Sequence, residues 1–258
     1  MRRRLLITCD DLGYHPTINR AIVEILATGT IRAASIMPAA PHFDDALRRL
    51  GAAGIDAVGV HLTIGSEYSR LPIRPISEPH RVASLVQTDG RFFRDIAAVS
   101  ERIDPRHAAL ELRSQIERAR DSGLRLTHLD GHMFCYEPDV GGPALLAVAE
   151  ALSDEYALPL RRRAAPGRAP AAVPATYMRW QRGDSLSERI AFYATLLSSY
   201  DAPLAELIIH PATDGAAMAA FSKTGEYRLA DYEFFRSSTF AHLVRRHGIE
   251  VVGRDDLR

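Results

Sequence analysis

The chain has 258 residues, 47% of them hydrophobic, and carries 32 basic and 32 acidic side chains. Its length suits a single α/β domain with a sizeable core, because α/β barrels commonly run to about 250 residues as one unit. A formal net charge of zero excludes a global field that would draw in nucleic acid or anionic lipid. No linker is visible, so we expect one domain over residues 1–258.

The amino-terminal run Met1-Arg2-Arg3-Arg4 looks like the start of a signal peptide, but the apolar stretch behind it, Leu5–Cys9, has only five residues. That stretch is too short for a signal-peptide core or a membrane span. The two cysteines, Cys9 and Cys135, cannot form a disulfide framework. We therefore expect a cytoplasmic protein without a membrane span.

Short apolar runs alternate with segments of helical periodicity along the chain. Strands are predicted at Leu5–Cys9, Ala33–Met37, Val58–His61, Leu126–Leu129, Leu158–Arg161, Glu206–His210 and Ile249–Val252. Helices are predicted from Pro16 up to Gly29 and at Asp44–Leu50, Ala108–Ser122, Ala144–Leu152, Ser187–Ser199 and Tyr232–His247. Repeated strand–helix units predict an α/β fold with a mostly parallel sheet, and six or seven units fit a (β/α) barrel, complete or incomplete.

The stretch 62–105 interrupts this alternation and contains several prolines and the pair Phe92-Phe93. A connection of this length inside a compact domain is usually functional. We therefore predict that 62–105 forms a mobile cover or small insertion, with Phe92 or Phe93 helping to enclose a ligand. Permanent packing on the barrel wall, or against a second subunit in a homodimer, is the alternative.

Four of the predicted strands end on Asp or His. These ends are Asp10-Asp11, His61, His128-Leu129-Asp130-Gly131-His132 and His210-Pro211. In sheets of parallel strands, ligands gather outside the carboxyl ends of the strands. Because acidic and imidazole side chains at that edge can bind a divalent metal, the sequence predicts a metal-dependent enzyme.

Asp10 and Asp11 directly follow a buried strand, where two adjacent like charges repel and are costly to desolvate. A metal resolves the conflict if one carboxylate binds it and the other stays free as a base. The alternative is that one aspartate caps the helix near Pro16 while the other faces water.

Three histidines are candidates for the imidazole ligands. His61 follows Gly59, which allows another backbone or a ligand to approach closely. If the fourth strand continues, His128 and Asp130 share one face, and His132 lies on the loop at the barrel mouth. One of these two histidines can reach a metal, while the other, or Asp130, orients a ligand from behind.

His210 and Arg161 complete the candidate catalytic residues. An imidazole titrates near neutral pH, so His210 is predicted as a general acid that protonates a leaving amine. Arg161 closes the fifth predicted strand and could fix a catalytic aspartate. The alternatives are a capping or structural histidine and a surface arginine.

Four motifs taken together resemble one known family. They are Ile7-Thr8-Cys9-Asp10-Asp11-Leu12-Gly13, Gly59-Val60-His61-Leu62-Thr63, Thr127-His128-Leu129-Asp130-Gly131-His132 and Ile209-His210-Pro211. The chain resembles the YdjC-like carbohydrate deacetylases, which include chitooligosaccharide and hopanoid-biosynthesis deacetylases, over almost its whole length. This resemblance implies a distorted (β/α) TIM-like barrel that removes an N-acetyl group from an amino sugar or oligosaccharide at one divalent metal ion.

Carried over by motif, the resemblance implies that Asp11, His61 and His132 are the metal ligands. Asp10 then looks like the general base and His210 like the general acid. Ligand types alone do not choose between Mg²⁺ and Zn²⁺. Many family members continue the fourth motif with further histidines, whereas this chain reads Met133-Phe134-Cys135-Tyr136. This difference affects the expected contacts between this loop and the sugar, and so the choice of substrate, more than it affects the expected metal ligands.

Two other functions use similar residues. One is a metal-dependent hydrolase of a phosphoester or a non-sugar amide; a phosphatase would normally want two metals roughly 3.5–4 Å apart and more carboxylates at the strand ends. The other is a non-catalytic sugar-binding protein, which would keep Phe92, Phe93 and Trp180 for stacking. A binding protein would not need Asp10 and Asp11 together.

Overall fold

The structure is a computed structural model, and it describes residues 3–161 and 186–257. Within these ranges six parallel strands form one sheet. They are β1 (Arg3–Leu12), β2 (Ala33–Ile36), β3 (Ala57–Leu62), β4 (Arg125–Gly131), β5 (Leu204–Ile209) and β6 (Ile249–Val252). The sheet order is β4-β3-β2-β1-β5, and β6 pairs with the first half of β1. The sheet curls into a half-barrel, which confirms the predicted barrel-type α/β fold.

Helices cover the sheet between the strands. They are α1 (Pro16–Leu26), α2 (Phe43–Ala52), α3 (Ile96–Ser100), α4 (Pro105–Asp121), α5 (Gly142–Tyr156), α6 (Leu186–Ser199), α7 (Gly215–Met218), α8 (Gly225–Phe235) and α9 (Ser238–Arg246). Short 3₁₀ turns lie at Pro79–Val82, His132–Phe134 and Arg254–Leu257. Local sequence explains the helix starts: at α4 the Asp104 side chain accepts from the Arg106 N–H at 2.9 Å, and Pro105 takes the first helical position. None of the described helices is both long and apolar enough to cross a membrane.

Two predicted elements are wrong. The expected strand Leu158–Arg161 shrinks to a single bridge between Leu129 and Leu160, so it adds no full strand to the sheet. The expected helix Tyr232–His247 is two helices, because the Ser237 side chain accepts from the Phe240 N–H at 3.2 Å and starts a new helix there. Trp180, expected to stack on sugar in a binding protein, lies outside the described residues.

The segment 62–105 packs into the main core through a set of fully buried side chains. These include Ile73, Val82, Leu85, Phe92 and Ile96. Phe92 is fully buried and Phe93 packs under the Arg102 guanidinium at 5.0 Å, and a part of either ring in enclosing a ligand stays a prediction. Movement of the rest of this segment stays a prediction.

Candidate active site

A bulge in β1 brings two adjacent carboxylates to the same place. Consecutive residues of a regular strand face opposite sides of the sheet. Between Cys9 and Leu12 the register with β2 shifts, and Asp11 adopts a left-handed φ of 71°. As a result the Asp10 and Asp11 side chains, both buried, line the same cavity.

Asp11 lies between two imidazoles. Its Oδ1 atom is 3.4 Å from His61 Nε2 and 3.2 Å from His132 Nδ1, and it has no hydrogen-bond partner among the described residues. Its Oδ2 atom accepts from the Arg228 Nη2 group at 2.6 Å. Burial opposes ionisation of this carboxyl, but the charge of Arg228 and contacts with the histidines hold its pKa well below the usual range.

Each of the two histidines is held from behind by another carboxylate. The His61 Nδ1–H group donates to Asp130 Oδ1 at 2.7 Å, and the His132 Nε2–H group donates to Glu67 Oε2 at 2.9 Å. Burial disfavours their charged forms, but the surrounding carboxylates outweigh it. Asp10 and Asp130 help raise the pKa of His61 to about 9, and Glu67 helps raise the pKa of His132 to about 10.

His128 does not join this cluster. It is fully buried, and its ring occupies the space that a side chain at Gly59 would need. Its Nε2 atom is 3.1 Å from Asp130 Oδ2 and 3.1 Å from the Ser35 hydroxyl. Burial lowers the pKa of His128 to about 4, so the ring is neutral. Of the alternatives left open by the sequence, His132 is the histidine beside Asp11, and Asp130 orients His61.

Arg161 binds Asp10 through both carboxylate oxygens. The Nη1 and Nη2 groups donate to Asp10 at 2.7 and 2.8 Å, and Nη2 also lies 2.6 Å from Asp130. Behind them, the Arg161 Nε group donates to Glu206 at 3.0 Å, and Arg254 donates to the same Glu206 oxygen. These residues form a buried column of alternating charge that fixes Asp10 beside His61.

His210 lines the same cavity from the end of β5. Its backbone N–H group donates to Asp231 Oδ2 at 3.0 Å, and the Asp231 side chain is itself held by Arg189 and Tyr193. Burial lowers the pKa of His210. The structure therefore brings all six residues singled out from the sequence to one end of the half-barrel: Asp10, Asp11, His61, His132, Arg161 and His210.

The cavity measures about 220 Å³ and includes side chains that were not among the predicted catalytic or metal-binding residues. They are Glu67, Tyr68, Met133, Phe134, Ile208, Thr224 and Arg228. Met133 and Phe134 have left-handed φ values of 53° and 55°, a conformation that non-glycine residues rarely adopt and that clusters at functional sites. Glu67 lies in the irregular segment after His61, and Arg228 precedes the predicted start of its helix, so neither carried a pattern that could have identified it.

The donor set fits a divalent cation. Asp11, His61 and His132 each offer one buried ligand atom, and these atoms lie within 4.8 Å of one another. Asp11 Oδ1 is a buried, charge-bearing oxygen that accepts no hydrogen bond among the described residues and has the two imidazole nitrogens 3.4 and 3.2 Å away, so it is suited to be a ligand of a cation. One carboxylate and two imidazoles are ligands that zinc and other divalent metals accept.

Comparison with known proteins agrees with these motifs. Residues 4–246 match the family described as YdjC-like protein. Carbohydrate deacetylases from Brevibacillus brevis and Geobacillus stearothermophilus are each 28% identical to this chain; the two alignments cover 98% of this chain and 99% and 97% of the relatives.

Solved structures share the fold. A protein from Enterococcus faecalis V583, described as a cellobiose-phosphate cleavage protein, superposes with a TM-score of 0.81 at 24% identity, over 100% of this chain and 99% of its own. The peptidoglycan deacetylase PdaC from Bacillus subtilis superposes with a TM-score of 0.51 at 13% identity, over 99% and 90% of the two chains. Since the family match spans nearly all of the sequence, the chain belongs to the YdjC-like protein family.

Proposed function

We propose that the protein is a carbohydrate deacetylase that hydrolyses the N-acetyl group of an amino sugar or oligosaccharide. Asp11, His61 and His132 would hold one divalent ion, Mg²⁺ or Zn²⁺. Two full-length relatives named carbohydrate deacetylase support the reaction class. The observation that carries the proposal is the buried Asp11 Oδ1 atom, which lies between two imidazoles and accepts no hydrogen bond in the described part of the chain. Beside it is a second carboxylate held by arginine.

A bound divalent cation would supply Lewis acidity toward the acetyl oxygen and toward a water molecule. The protein residues then divide the proton transfers. Asp10 accepts a proton from the water that attacks the acetyl carbon, as a general base. Arg161 fixes the orientation of Asp10 through two hydrogen bonds, at 2.7 and 2.8 Å.

His210 completes the reaction on the leaving-group side. As the carbon–nitrogen bond breaks, the protonated His210 ring donates its proton to the departing amine nitrogen and becomes neutral, and the products are acetate and the free amino sugar. Its backbone is fixed by Asp231, so the ring stays at the cavity wall. Asp130 and Glu67 keep the two imidazole ligands oriented by accepting their remaining N–H groups.

The test is a screen of Mg²⁺- or Zn²⁺-loaded protein against N-acetylated mono- and oligosaccharides, with released acetate as the readout. We expect metal-dependent acetate release from at least one sugar. Asp10→Asn should keep the fold and the metal but lower turnover by about two to four orders of magnitude. Asp44→Asn is the matched control, because Asp44 lies on α2 with 79% of its side chain exposed.

Two outcomes would contradict the proposal. Sugar binding without acetate release in the native protein would instead support a non-catalytic sugar-binding protein. Unchanged turnover in metal-loaded Asp10→Asn would remove Asp10 from the reaction.

A further inference from the structure

Arg228 is a buried arginine fixed beside the Asp11 carboxylate. It lies on α8 with 5% of its surface exposed, and its Nη2 group donates to Asp11 Oδ2 at 2.6 Å. Its Nε group donates to the Thr224 hydroxyl at 3.3 Å. Its backbone carbonyl accepts from the Ala212 N–H group at 2.9 Å, two residues after His210. The guanidinium is therefore held at a defined place in the cavity wall.

The two aspartates of the site are held by arginine in different ways. Arg161 donates to both oxygens of Asp10, at 2.7 and 2.8 Å. Arg228 donates to only one oxygen of Asp11 and leaves Oδ1, the oxygen that faces His61, without a hydrogen-bond partner among the described residues. Both oxygens of Asp10 therefore accept a hydrogen bond from arginine, whereas only one oxygen of Asp11 does.

The free oxygen matters because carboxylates bind cations through either one oxygen or both. A catalytic metal must keep a position open for water or substrate, whereas a structural metal is closed by protein ligands. With both oxygens free, Asp11 could bind a cation through both and fill that position. A guanidinium on Oδ2 prevents this.

We propose that Arg228 is a positioning residue that restricts Asp11 to binding the cation through Oδ1 alone, and so keeps a coordination position open for the substrate. This inference rests on the proposed function, because it assumes that Asp11, His61 and His132 hold the cation. It assigns Arg228 a task different from neutralising charge. A positive charge elsewhere in the cavity wall would also neutralise Asp11, but only an N–H donor at this place occupies Oδ2.

The experiment compares Arg228→Met with Arg228→Gln, each loaded with Co²⁺, whose visible absorption weakens as its coordination number rises. We expect Arg228→Met to bind one Co²⁺ per chain at least as tightly as the native protein. Its visible absorption should weaken, and its turnover should fall by about 100-fold. Arg228→Gln retains an N–H donor toward Oδ2, so its spectrum and turnover should lie nearer those of the native protein.

The controls separate this inference from a loss of stability or of the metal site. Arg113→Met removes an arginine whose partner, Glu155, is exposed, and should leave spectrum and turnover unchanged. Thermal unfolding of each Co²⁺-loaded variant reports folding. If Arg228→Met does not fold, Arg228→Gln and Arg228→Lys decide: both keep an N–H donor, so the neutral Gln should be as near native as the charged Lys.

Three results would overturn the inference. They are an unchanged Co²⁺ spectrum in Arg228→Met, loss of Co²⁺ in parallel with turnover, or an Arg228→Lys variant more native-like than Arg228→Gln. Failure of the native protein to bind Co²⁺ is a separate result. It would overturn the proposed metal site, and this inference with it.

Discussion

A substitution at Gly59 tests whether the buried residues His128 and Asp130 hold His61 in position. A side chain at this position would place its Cβ atom 2.2–2.5 Å from three atoms of the His128 ring. Ordinary contacts of a Cβ atom begin at 3.4 Å, so Gly59→Ala forces the ring to move by about 1 Å. That ring is fully buried and lies 3.1 Å from Asp130, the residue that orients His61.

We expect Gly59→Ala to destabilise the fold by about 1–3 kcal/mol, the usual cost of overpacking a core. Turnover should fall by about 100-fold, because a shift of about 1 Å in a supporting residue misplaces the groups that react. Urea unfolding and acetate release measure the two effects. Gly51→Ala is the matched control: Gly51 is an exposed helical position with no atom within 4 Å of the added Cβ, so stability should rise by about 0.5–1 kcal/mol.

A double variant identifies the cause. If the His128 ring is what the new methyl group meets, Gly59→Ala should cost much less stability in a His128→Ala background than in the native one. Equal costs in the two backgrounds would refute this explanation, and so would native stability and turnover in Gly59→Ala alone.

Three further outcomes follow from the site. His61→Ala and His132→Ala should each lose the metal by elemental analysis while folding survives, and full occupancy in His132→Ala would move the assignment to His128. Because burial holds the pKa of His128 near 4, below its ordinary 6.5, its contribution to stability is complete above about pH 6.5 and is lost as pH falls to about 4. The loss amounts to about 3 kcal/mol, and urea unfolding of His128→Asn between pH 7 and pH 4 should show a flatter pH dependence than that of the native protein. Glu67→Gln should weaken metal binding by about 10- to 100-fold, as titration calorimetry would show, because the carboxylate that accepts from His132 is removed.

The sequence was enough to predict which candidate residues come together where these residues stand at strand ends. Asp10, Asp11, His61 and His210 lie on or just after strands of one parallel sheet, so the sheet alone gathers them. That both aspartates face the cavity depends on the bulge in β1, which depends on pairing with β2 and leaves no mark in the local sequence.

Which of His128 and His132 lies beside Asp11 likewise depends on tertiary structure. The register of β3 and β4 shifts opposite Gly59, and the missing side chain there admits the His128 ring into the sheet interior. Glu67 and Arg228 could not be found because their partners are distant in sequence: His132 is 65 residues from Glu67, and Asp11 is 217 residues from Arg228. Local patterns carry no information about such contacts.

The buried column of charged residues behind Asp10 also makes the proposed reaction depend on folding of distant parts of the chain. Asp10, Arg161, Glu206 and Arg254 come from four widely separated parts of the chain, with 151 residues between the partners Asp10 and Arg161. The chain between the two members of each pair must close into a long loop before their contact forms. A charged side chain buried without its partner strongly destabilises the fold. A fragment that ends before Arg254 would leave Glu206 without one of its two cationic partners. The proposed activity should therefore appear only after these four parts of the chain have come together, late in refolding and after the individual helices.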